Sequence, residues 1–173
     1  MVEKAAAGQN VYEDILNIPL IIRYPGNKKN GKHSGELVSL VDIYPTLVEL
    51  LGLKVPELKY PLQGESMVKT LLSGKPMKRN FFVSESWSQA TVITKDHKLG
   101  IMLDPTPIHK NWDFRNYGDM FFDRIKDPLE LDNKVHDGTC QKEIALLRGY
   151  YNEFITNIPS TGKEEVVMQK GGN

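Results

Sequence analysis

The residues whose types could do chemistry fall into a few groups. His97 sits in a turn between two predicted strands and His109 in a long loop, and loops carry binding residues disproportionately. Glu85, Trp87 and Trp112 are of the types that line a sugar cleft, since aromatic faces stack on sugar rings and a carboxylate accepts hydroxyl hydrogen bonds. Each has a plainer reading: a lone loop histidine is ordinarily solvated surface, and a tryptophan ordinarily fills or covers a small core. Asp123, Asp127, Glu130 and Asp132 crowd one stretch. The glycine and terminal glutamate that a calcium-binding EF-hand loop needs are missing there, and Asp127-Pro128 reads as turn chemistry. Cys140 is the single cysteine, so neither a disulfide framework nor a Cys-rich zinc site is open to the chain. It reads as a small apolar filler or a half-exposed thiol. Three lysines in residues 27–35 could attract an anion, but the composition is that of a solvated loop tip. Asp42 reads as a helix N-cap before it reads as a metal ligand.

Bulk properties limit what these residues can serve. The chain has 173 residues, 40% apolar and 25% charged, enough for one domain with a real core. Lys plus Arg and Asp plus Glu both number 22, so the net charge gives no reason to expect nucleic acid as a partner. No apolar stretch is long enough to span a bilayer. No charged, apolar, small-residue leader opens these residues, and a soluble chain is expected.

The elements that must position the candidates divide near residue 76. In residues 1–76, the β-branched apolar run at 18–24 reads as a strand buried on both faces. Residues 42–51 read as a helix, with Asp42 as cap, Pro45 in the first turn, an apolar face of Ile43, Leu47, Leu50 and Leu51, and Gly52 as the stop. Residues 66–72 suit a short helix ending at Ser73-Gly74. In residues 77–173, four strands are predicted at 81–86, 90–94, 98–103 and 119–123, with Lys95-Asp96-His97 as a tight, antiparallel-favouring turn. A helix follows at about 139–157, with Ile144, Leu147, Tyr151, Phe154 and Ile158 on one face. The fold class is α+β: the edge of an α/β sheet, then a small antiparallel sheet packed with a C-terminal helix.

Four runs in order carry a family resemblance. They are Tyr12-Glu13 with Ile18-Pro19-Leu20-Ile21-Ile22 and Pro25-Gly26; Ser39-Leu40-Val41-Asp42-Ile43-Tyr44-Pro45-Thr46-Leu47 with Gly52; Leu62-Gln63-Gly64-Glu65-Ser66 with Leu71-Leu72; and Phe121-Phe122-Asp123 with Asp127-Pro128-Leu129-Glu130-Leu131-Asp132-Asn133. Together they resemble the C-terminal part of an arylsulfatase-like sulfatase of the alkaline phosphatase superfamily. The resemblance implies hydrolysis of sulfate monoesters by a formylglycine made within a Cys/Ser-x-Pro-x-Arg motif, beside a calcium or magnesium ion. A hard cation and fixed positive charges there meet the sulfate oxygens as charge shifts in the transition state. It also implies that Lys4, the lysine shortly before Tyr12-Glu13, contacts sulfate in the full-length context. Family members are often periplasmic, secreted or lysosomal.

The sequence departs from that pattern where the chemistry sits. Cys140 is followed by Gln141-Lys142-Glu143, and no serine stands in a Ser-x-Pro-x-Arg motif. The aspartates, asparagines and histidines that hold the metal are absent, and Asn17 replaces the usual arginine before the strand's proline. No cofactor is therefore expected in this chain, and by itself it is expected to be catalytically silent. Two alternatives stay open: a stand-alone binding module that self-associates through the surface a catalytic domain would cover, or part of a phosphodiesterase or phosphonate hydrolase on the same scaffold.

Overall fold

The computed structural model describes residues 11–24, 31, 33–55, 57–60, 62–86, 89–103 and 118–158. Its centre is one antiparallel sheet of β1 (Phe82–Ser86), β2 (Gln89–Ile93), β3 (His97–Met102) and β4 (Met120–Asp123), in that spatial order. Short links from β1 to β2 and from β2 to β3 leave antiparallel pairing as the easy solution there. Val83, Val92, Leu99 and Phe121 lie directly opposite one another across the four strands. Side chains alternate faces along a strand, so this row faces one way, and helix α4 (Gln141–Asn157) covers it. Ile144 and Leu147 of α4 close the core against Val92, Leu99, Ile101 and Phe121. Leu147 is fully buried, which is worth about 1.5–3 kcal/mol for a side chain of that kind. The outer edge of β4 is covered: Asn133 Oδ1 accepts the Phe121 N–H at 2.9 Å, and the Lys134 N–H donates to the Phe121 carbonyl at 2.9 Å. A covered edge is closed to further pairing.

The other face of the sheet takes the N-terminal segment. Val11 and Tyr12 pack on Met120 and Phe122. Gly100 is the opening that lets them in, because a Cβ there would stand 2.8 Å from Val11 Cγ2. Helix α1 (Glu13–Leu16) follows at once.

Beyond α1 the structure departs from the sequence reading. Residues 18–24 form no strand, and Ile18, Leu20 and Ile21 are 58%, 43% and 92% exposed. A strand is a pairing as much as a composition, and no described strand lies alongside this run. The helix expected at 42–51 is a 3-10 turn, Leu40–Asp42, leading into α2 (Ile43–Leu50). Its anticipated apolar face is not its buried one: Leu47 and Leu51 are exposed, while Thr46 and Val48 are buried. Thr46 docks the helix instead, its Oγ1 donating to the Asp42 carbonyl at 2.6 Å and accepting the Met67 N–H at 2.9 Å. Gly52 at φ +62 ends α2 as anticipated. Helix α3 (Val68–Ser73) closes on Gly74 at φ +72. Among the described residues no helix is long and apolar enough to cross a membrane.

Candidate functional site

The charged side chains of the first part meet those of the second in three places. Glu36 Oε1 accepts from Lys95 Nζ at 2.8 Å, and its Oε2 accepts the Met77 N–H at 2.8 Å. Asp42, fully buried, pairs with Arg79 and accepts the Ser39 and Glu65 N–H groups at 2.8 Å each. It is a junction between segments, and its side chain caps nothing in α2. Gly64 makes this junction possible, since a Cβ there would sit 1.9 Å from the Val41 carbonyl oxygen. That close approach is the physical content of the Gln63-Gly64-Glu65 run.

The third meeting place gathers four charged side chains. Lys98 on β3 is fully buried, on the sheet face that carries Gly100. Its Nζ donates to Glu13 Oε2 at 2.7 Å and to Glu130 Oε1. Arg124 donates to Glu13 Oε1 at 2.7 Å and to the Thr94 carbonyl at 2.6 Å. Glu130 Oε2 accepts the Glu13 N–H at 2.6 Å. Two cations and two carboxylates thus neutralise one another where water is scarce, the condition under which buried charge is tolerated. Burial pushes the Glu13 carboxyl up, but the Lys98 hydrogen bond and the charges of Lys98 and Arg124 outweigh it, so Glu13 titrates below its ordinary range. Glu36 is likewise lowered, chiefly by Lys95 and then by the Met77 N–H.

The pair of Glu36 with Lys95 and the pair of Glu13 with Arg124 border a groove of about 770 Å³. Leu16, Ile18, Leu37, Leu40 and Phe82 line its apolar part, and Glu13, Glu36, Lys95 and Arg124 stand at its polar side. Those four charges are the ones paired above, and Asp96 lines the groove as well, so it presents hydrocarbon beside ion pairs and one further carboxylate. Among the described residues no three His, Cys, Asp or Glu side chains gather as metal ligands. The arrangement holds segments together and offers an apolar wall.

Of the residues singled out from the sequence, the described ones, Glu85 and His97, lie apart. Glu85 accepts a hydrogen bond from the Tyr151 hydroxyl of α4 at 3.1 Å. Burial and then Glu85 push the Tyr151 hydroxyl up from its ordinary range. His97 begins β3 and stacks on Phe121, ring centroids 5.5 Å apart. Glu85 is level with Ala90 and Ile101, so His97 lies two strands over and four residues further along, roughly 17 Å away at strand spacing. Lys4, Trp87, His109 and Trp112 lie outside the described residues. The acidic run has structural tasks. Asp123 Oδ1 accepts the Ile125 and Lys126 N–H groups, Asp127 Oδ2 accepts the Asp132 N–H, and Glu130 joins Lys98. Sequence reasoning missed Lys98 and Arg124. The available signal was a lysine within an otherwise apolar strand, Lys98-Leu99-Gly100-Ile101, because a buried lysine demands a carboxylate.

Comparison with known proteins places these features in a family. The family model described as N-sulphoglucosamine sulphohydrolase, C-terminal, matches residues 8–155. The Delta 4,5-hexuronate-2-O-sulfatase of Bacteroides thetaiotaomicron is 28% identical over 148 residues, covering 84% of this chain and 30% of the relative. Arylsulfatase K of Bos taurus is 30% identical over 174 residues, covering 93% of this chain and 31% of the relative. The solved structure of a 2-O GAG sulfatase superposes with a TM-score of 0.57 at 27% identity, over 76% of this chain and 28% of that one. The chain spans about 30% of the length of these curated relatives. It belongs to the sulfatases, in the family defined by the C-terminal part of N-sulphoglucosamine sulphohydrolase.

Proposed function

We propose that this chain is the C-terminal portion of a sulfuric ester hydrolase, catalytically silent alone, and that it supplies structure and part of a pocket wall to a sulfate ester site. The match to a C-terminal family model over residues 8–155 carries this reading. In this reading residues 1–76 are the edge of the catalytic α/β domain and residues 77–173 are its C-terminal subdomain. A sulfated carbohydrate is the substrate class, supported by the names of the hexuronate and GAG sulfatases it resembles. Family enzymes use formylglycine and a divalent cation. Neither fits this chain, which has no Cys/Ser-x-Pro-x-Arg motif and no trio of metal-binding side chains among its described residues. Glu85, Trp87, His97, His109 and Trp112 are proposed to face substrate, and Lys4 to contact sulfate, only when the catalytic part is present. A protein joining this chain to an upstream segment with that motif should release sulfate from a sulfated disaccharide and lose the activity with Lys4→Ala. Release of phosphate or phosphonate esters in place of sulfate would move it to the phosphodiesterase or phosphonate hydrolase branch.

One observation favours a second reading. Ile21, Leu40 and Leu51 are 92%, 64% and 67% exposed, and apolar surface of that kind ordinarily meets a partner. As a stand-alone binding module the chain would cover this surface by pairing with a second copy. Light scattering should then give a dimer mass, and a strictly monomeric species would remove this reading.

A further inference from the structure

Glu13 is gripped at three atoms. Lys98 holds Oε2, Arg124 holds Oε1, and Glu130 accepts the backbone N–H. The partners are 85, 111 and 117 residues away in sequence, so their convergence on one residue is a tertiary arrangement. Glu130 holds its carboxylate in place at φ +55, a left-handed conformation that a non-glycine residue adopts at a cost. Hydrocarbon of similar volume is often as good as a buried ion pair, or better, for stability alone. What the charges add is definition of position. The segment they define is Val11 to Leu16, whose first two residues enter the sheet face over Gly100 and whose last lines the groove. Residues 17–20, which continue that wall, have no regular structure.

We propose that Lys98, Arg124 and Glu130 form a socket for the Glu13 carboxylate, a latch that fixes the first wall of the groove to the small sheet and makes Lys98 a positioning residue for that wall. The socket accepts a carboxylate because its two cations meet the two oxygens separately while Glu130 takes the N–H. With the latch closed, α1 and the groove wall move with the sheet. With it open, Val11 and Tyr12 retain only their apolar packing. The inference goes beyond the proposed enzymatic role and stands or falls without it, since it concerns contacts within this chain.

The test is amide hydrogen exchange on the purified chain and on Glu13→Gln, Lys98→Met and the double variant. The N–H groups of Glu13, Ile15, Leu16 and Asn17 report the latch, because each bonds within it or within α1. Glu13→Gln should speed exchange at these amides at least tenfold while β2 and α4 keep their protection; Lys98→Met, which also strands Glu130, should speed them at least as much, with a smaller loss over β2 and α4. The double variant should be no faster than the faster single one, as expected for two groups acting through one contact. Unchanged exchange at these four amides in Glu13→Gln, a half-exposed position that tolerates the change, would overturn the proposal. So would acceleration spread evenly over β2 and α4, which would make the cluster a general stabiliser. If Lys98→Met does not fold, the Glu13→Gln result decides alone.

Discussion

The two parts of this chain treat the same kind of residue in opposite ways. In the small sheet, Val92, Leu99 and Leu147 are fully buried between strands and α4. In the N-terminal part, Ile18, Ile21, Leu47 and Leu51 are as apolar and stand in water. Hydrophobicity is equal on both sides of the comparison, so the difference lies in partners. The sheet and α4 supply both sides of the core between them. The helix and apolar run before the sheet present one face each. The parts are joined by the packing of Val11 and Tyr12 on Met120 and Phe122 and by charge: Glu13, Glu36 and Asp42 of the first receive Lys98, Arg124, Lys95 and Arg79 of the second.

The comparison breaks most sharply through substitution in matched pairs. Leu147→Ala should cost about 2–5 kcal/mol in denaturant unfolding, because α4 and the sheet cannot fully collapse around the lost volume. Leu51→Ala, at 67% exposure, should fall within about 0.5 kcal/mol of zero. A cost of several kcal/mol at Leu51 would mean that the N-terminal face is covered in solution. Lys98→Met strands Glu130 without its cation and should cost about 3–5 kcal/mol, while Lys95→Met, whose side chain is 50% exposed, should cost about 1 kcal/mol or less. Urea midpoints on the four variants rank these effects. Gly64→Ala should loosen the first part alone, since the Val41 carbonyl must retreat from the new methyl. Loss of protection at the Glu65 and Met67 amides, with α4 unchanged, is the expected sign.

Acid sharpens the same division. Glu13 and Glu36 titrate below their ordinary ranges when folded. A lowered folded value means that their contribution is complete above the unfolded value and is lost as pH falls through the folded one. The ion pairs between the parts should therefore weaken below pH of about 4.3, the usual Glu value. A thermal melt followed between pH 7 and pH 3 should show a smaller acid loss in Glu13→Gln than in the parent chain. A small gain is expected at Gly149, exposed in mid-helix with nothing within 4 Å of a new Cβ. Gly149→Ala should raise stability by about 0.5–1 kcal/mol.

The parts also differ in how legible they were. All four strands and α4 were readable to within about two residues, because their alternation and 3.6-residue spacing are satisfied inside the chain itself. Residues 18–24 had an equally strong composition and gave no strand, because pairing depends on neighbours that a local pattern cannot supply. The Ile43-Leu47-Leu50-Leu51 face misled for the same reason, and the small polar Thr46 became the docking residue. Asp42 stands at the N-cap position of α2 and its side chain caps the turn before it at Ser39, but its further partners Glu65 and Arg79 are 23 and 37 residues away and no local pattern shows them. Lys98 was visible only as an oddity within a strand. Its partners come from two distant segments, and no local pattern links residues 13, 98, 124 and 130.

The central claim is that this chain is the non-catalytic C-terminal portion of a sulfatase, folded around its small sheet. The most direct measurement is aryl sulfate hydrolysis by the purified chain, with calcium or magnesium and then with a chelator. No turnover above buffer is predicted in either condition. Metal-dependent turnover that follows the chain through purification and disappears with the chelator would contradict the claim.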